Sequence, residues 1–97
     1  MKISSSISPG HSVPEYTATE LTCEADANPL PFLNLFYTDG QKSWQLSPEW
    51  VVDTIFTLRI ELSRLYNAKG FFCRAKAFDN SHVVESTQVQ FDILCEY

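Results

Sequence analysis

Glycine is scarce in this chain. Three glycines and five prolines in 97 residues exclude a collagen-like repeat and leave no low-complexity linker. No apolar run approaches the roughly 20 residues that a membrane helix needs, so no segment is expected to span a bilayer or insert in one. Met1-Lys2-Ile3 and the three serines after it lack the apolar stretch of a secretory leader. Basic residues are few: seven Lys and Arg against twelve Asp and Glu give a net charge of −5. That balance argues against nucleic acid, whose phosphates demand clustered cations. None of the three cysteines forms Cys-x-x-Cys, and neither His11 nor His82 stands at zinc-ligand spacing from them, so no metal or other cofactor is expected. What remains is an ordinary globular composition, 44% hydrophobic and 20% charged, of a length suited to one domain.

Period-two alternation is the strongest pattern present, and it marks strands with one buried face. Leu21, Cys23 and Ala25 alternate with Thr22, Glu24 and Asp26. Phe56, Leu58, Ile60 and Leu62 alternate with Thr57, Arg59 and Glu61. Phe71, Cys73 and Ala75 are interleaved with Phe72, Arg74 and Lys76, and Val89, Phe91 and Ile93 with Gln88, Gln90 and Asp92. Breakers separate these segments. Asn28-Pro29-Leu30-Pro31 must be extended, Asp39-Gly40 signals a hairpin, Ser47-Pro48-Glu49 interrupts the middle, and Asp79-Asn80-Ser81-His82 reads as a turn. Only Ser63 to Lys69 looks helical, with Ser63 placed to cap a short turn. Strands and turns at this density predict an antiparallel sandwich rather than βαβ units.

Cys23 and Cys73 both occupy inward phases, 50 residues apart. A bridge between them would pin two sheets together; as buried thiols they would act as small hydrophobes. Cys95 follows the inward series Val89, Phe91, Ile93 near the end of the last strand and is expected to be unpaired within the domain.

Several segments together resemble the immunoglobulin superfamily, closest to its I-set and C2-type domains. Leu21-Thr22-Cys23-Glu24-Ala25 is similar to the family's strand B, and Asn28-Pro29-Leu30-Pro31 to the lead into strand C. Phe36-Tyr37-Thr38-Asp39-Gly40 resembles the end of strand C and its turn. Leu58-Arg59-Ile60 resembles strand E, and Asn67-Ala68-Lys69-Gly70-Phe71-Phe72-Cys73 the corner and strand F. Phe71 stands where the family has its corner tyrosine, and Lys69 where glycine is usual. No tryptophan occupies strand C; Leu35 or Phe36 takes its place. Leu35 is the better fit, because placing Phe36 inside would bury Asn34. The resemblance implies a single immunoglobulin-like domain over residues 1–97, excised from a larger multidomain protein. It would be an antiparallel β-sandwich of seven to nine strands in two sheets, with Cys23 and Cys73 as the inter-sheet disulfide.

No motif for catalysis accompanies this pattern. Ser12 beside His11 and Ser81 beside His82 are neighbours without triad context, and the carboxylates are spread along strands, so the chain is not expected to be an enzyme. With Cys73 and Leu35 inward, Phe36, Phe72, Arg74, Lys76 and, at the loop edge, Phe78 point outward from the G-F-C sheet. An outward row of phenylalanines framed by cations is a candidate contact surface for a protein ligand or another copy of the chain, with a homodimer among the outcomes. The alternative is that Phe36 or Phe78 is tucked under a loop or covered by a neighbouring domain. No Asn-x-Ser/Thr sequon occurs to place a glycan over the face. The resemblance then implies an extracellular recognition or adhesion module of a cell-surface receptor. The alternatives are an intracellular I-set spacer and a secreted immune-type binder.

Overall fold

In the computed structural model the described residues are 1–8, 10, 12–26, 29–77, 79 and 81–94. Phe78 and Cys95 lie outside them. Strands succeed one another as β1 (Lys2–Ser5), β2 (Ser12–Pro14), β3 (Thr17–Glu24), β4 (Phe32–Thr38), β5 (Ser43–Gln45), β6 (Val51–Val52) and β7 (Ile55–Leu62), then β8 (Gly70–Lys76), β9 (Val83–Glu85), β10 (Val89–Gln90) and β11 (Asp92–Leu94). A 3-10 turn over Arg64–Tyr66 separates β7 from β8. It is the short turn expected after Ser63, although the Ser63 side chain makes no capping bond. No helix among the described residues is long and apolar enough to cross a membrane.

Two sheets face each other in an all-β sandwich. One has the order β1-β3-β7; the other is built on the seven-residue antiparallel pairing of β4 with β8. β5 and β6 follow one another along the free side of β4, and β9 and β10 along the free side of β8. β2 and β11 form a third, parallel pair, with Val13 opposite Ile93. The all-β sandwich is as expected, and this pair adds one parallel pairing to its antiparallel ladders. The first pass of the chain leaves β3 after Ser5 and meets the last pass at Ser12, and two passes running the same way can only pair in parallel. Strand segments exceed the expected seven to nine because edge strands are interrupted. Joining β1 with β2, β5 with β6, and β9 with β10 and β11 leaves seven passes.

Every inward phase read from alternation faces the core. Leu21, Cys23, Leu33, Leu35, Ile60, Leu62, Phe71, Cys73, Ala75, Phe91 and Ile93 are buried in one cluster, with Phe56, Leu58 and Val89 packed on it. Leu35, not Phe36, fills the site where the resemblance puts a tryptophan. Phe71 is fully buried where a corner tyrosine was the comparison, between Tyr66 and Phe91 at ring separations of 5.3 and 5.9 Å. The Asp39-Gly40 hairpin joins β4 to β5. Gly40 takes φ +96°, which side chains resist, and Asp39 Oδ1 accepts the Gln41 and Lys42 backbone N–H groups. Those two bonds hold the Asp39 carboxyl below its ordinary range.

Cys23 on β3 and Cys73 on β8 are joined by a disulfide across the sandwich, with Cα atoms 5.7 Å apart. Closing a loop of this length removes unfolded-state entropy worth roughly 4 kcal/mol. Peptide mapping without reductant should recover Cys23 linked to Cys73; a Cys23–Cys95 or Cys73–Cys95 peptide would contradict the strand phases. The double variant Cys23→Ala/Cys73→Ala should lose about 3 to 4 kcal/mol of unfolding free energy in urea titration.

Candidate functional site

Alternation and register together build the outer face of the β4–β8 sheet. Phe36 stands opposite Phe72, Asn34 opposite Arg74, and Phe32 opposite Lys76. The six side chains therefore form three cross-strand rows on the side of the sheet away from the core. Sequence phase placed Phe36, Phe72, Arg74 and Lys76 together on this face, and the structure does the same.

Exposure is where the expectation fails. Phe36 and Phe72 retain only 6% and 4% of their accessible surface, and Asn34 retains none. Phe72 packs against the Phe36 ring, and the cover over Phe36 and Asn34 comes from a mismatch along the edge of β4. Gln45 pairs with Phe36 and Val51 with Leu33, so five residues, 46–50, run beside the two residues Asn34 and Leu35. The surplus cannot lie flat in the ladder and arches over the outer face. Asn34 ties the arch down: its Nδ2 donates to the carbonyls of Ser47 at 2.9 Å and Glu49 at 3.4 Å, and its Oδ1 accepts the Leu35 N–H at 2.7 Å. These bonds offset the desolvation of a fully buried amide. Asn34 is thus kept out of the inter-sheet core, as expected, and buried nonetheless.

Trp50, at the end of the arch, packs on Phe36 at 5.8 Å, and Phe36 stacks on Phe72 at 5.5 Å. Both cations lie on this aromatic layer. The Arg74 guanidinium sits 4.3 Å above the Phe36 ring centre and is paired with Glu85, Nε to Oε2 at 2.8 Å. Lys76 Nζ stands 4.0 Å above Trp50. Each such contact contributes on the order of 0.5–1 kcal/mol at a part-exposed site. The surface offered to solvent is therefore Trp50, Arg74, Lys76 and Glu85. At its two sides stand Val52 beside Phe32, 50% exposed, and Val83 beside Lys76, 54% exposed. Trp44 belongs to the opposite phase: it pairs with Tyr37 and stacks on its ring at 5.1 Å.

Trp50, Val52 and Val83 went unremarked in the sequence as members of this face. The one available signal was Ser47-Pro48-Glu49, read as an interruption rather than as a cover. Whether Phe78 joins the face falls outside the described residues. No protein-family model matches the chain, and a search of curated proteins finds no significant match.

Burial changes what Phe72 should do when truncated. Phe72→Ala is expected to cost about 3 kcal/mol in denaturant unfolding, while Lys76→Ala should stay within about 1 kcal/mol. An unchanged midpoint for Phe72→Ala would contradict the burial of its ring.

Proposed function

We propose that this chain is an immunoglobulin-superfamily domain of I-set or C2 type. In this reading it is a non-catalytic recognition or adhesion module of an extracellular, cell-surface protein, and it binds a protein partner through the outer face of the β4–β8 sheet. The inter-sheet disulfide supports the extracellular setting, because such bonds persist in oxidising compartments and are rare in the cytosol. It favours this reading over an intracellular spacer. Thiol titration in denaturant without reductant should find one free thiol or none.

The observation that carries the binding face is the cation-topped aromatic layer with exposed valines on both sides. Trp50 and Arg74 are of the residue types that anchor interfaces, and their packing on Phe36 and Phe72 presents them with little rotamer freedom left to lose. The buried phenylalanines act as the rigid bed beneath the contact, not as the contact itself.

A tetramerised form of the domain should bind intact cells that display its partner. Lys76→Glu and Val83→Asp, both at exposed or half-buried positions, should each weaken that binding at least about tenfold with the melting temperature preserved. Glu20→Gln on β3, in the opposite sheet, should leave it unchanged. Binding insensitive to both face variants would remove this surface from the reading.

A further inference from the structure

The exposed edges of the two sheets are finished differently. β1 has four residues and begins at Lys2; β5 and β9 have three each, and β6 and β10 two each. Short strands and lysine are the usual means of blunting an edge. β7 has eight residues, Ile55–Leu62, paired with β3 along its whole length on one side. On its other side no strand among the described residues pairs with it. It contains no proline, glycine or lysine. Phe56 and Leu58, on its inward phase, stay only half-buried because the sandwich is open along this edge.

Two exposed charges complete the picture. Arg59 and Glu61 point to the outer face of β7, and neither joins an ion pair among the described residues. Across β3, Arg59 stands opposite Glu20, whereas Glu61 stands opposite Ala18 and meets no charge.

We propose that β7 is a self-association edge, at which a second copy of this chain adds antiparallel about a two-fold axis through Ile60. A two-fold that keeps both core faces on the same side must place a residue on the axis, since opposite residues of an antiparallel pair share a face. An axis at Arg59 would set arginine against arginine, and one at Glu61 glutamate against glutamate. The axis at Ile60 sets Arg59 of each copy against Glu61 of the other, and Leu58 against Leu62. Both unpaired charges are then matched twice over by symmetry, and Arg59 gains a carboxylate on each side. The result is one continuous sheet running β1-β3-β7 into β7-β3-β1 of the second copy. This edge lies in the sheet opposite the proposed partner face, and the inference stands whether or not that face binds.

The test uses the full chain carrying Cys95→Ser, so that thiol cross-linking cannot produce a dimer, and sedimentation from low micromolar to millimolar concentration. The parent should dimerise reversibly. Arg59→Glu and Glu61→Arg should each weaken the dimer at least about tenfold, because each places like charges across the axis. An equimolar mixture of the two single variants should associate, and the double variant should dimerise as the parent does. Lys76→Glu should leave the dimer intact, which separates this edge from the partner face. Circular dichroism and melting confirm that the exposed substitutions leave the fold unchanged. A parent that stays monomeric throughout overturns the proposal, as when the edge serves a strand from a different protein. So does a dimer indifferent to the reversals, or a mixture that fails to restore it.

Discussion

Seven residues of β4 paired with seven of β8 decide which side of this molecule is core and which is surface, because alternation leaves no freedom once the register is set. Leu33, Leu35, Cys73 and Ala75 face the opposite sheet, and the disulfide to Cys23 is possible only in that phase. Asn34, Phe36, Phe72 and Arg74 must then face the other way. A slip by one residue would put an amide and a guanidinium into the sandwich and the leucines outside, at a desolvation cost the small core could not offset.

Two large aromatic rings consequently stand on the outer side of a sheet, where water would otherwise meet them. The chain resolves this with its own edge. The surplus length between β5 and β6 arches across, Asn34 holds the arch by its carbonyls, and Trp50 closes over Phe36. The outcome is a second, thinner apolar layer with cations resting on it. Such a layer stiffens the half-buried tryptophan and cations by packing, so that stability and presentation draw on the same contacts. A substitution at Phe36 or Phe72 therefore acts on both at once, while one at Lys76 or Val83 acts mainly at the surface.

The same economy governs the edges. On the β4–β8 sheet the edges are short, interrupted strands. Among the described residues the β1-β3-β7 sheet has no equivalent along β7, whose regular alternation leaves it a long, even edge. Its charges, arranged with opposite sign around Ile60, distinguish one pairing register from its neighbours by sign alone.

Much of this was legible in the amino-acid sequence, because period-two burial is a local property. The inward phases of β3, β7, β8 and the last pass, the Asp39-Gly40 hairpin, and the choice of Leu35 over Phe36 follow from spacing and from the cost of burying Asn34 in the core. The outward grouping of Phe36, Phe72, Arg74 and Lys76 follows from the same rule. What alternation cannot state is what lies above a face. The burial of Phe36 depends on five residues meeting two along the edge of β4, a register between segments that no local pattern specifies. The parallel meeting of β2 with β11, and the open side of β7, depend likewise on which strands become neighbours. Neighbourhood is settled by the packing of the whole chain, so tertiary structure alone could decide them.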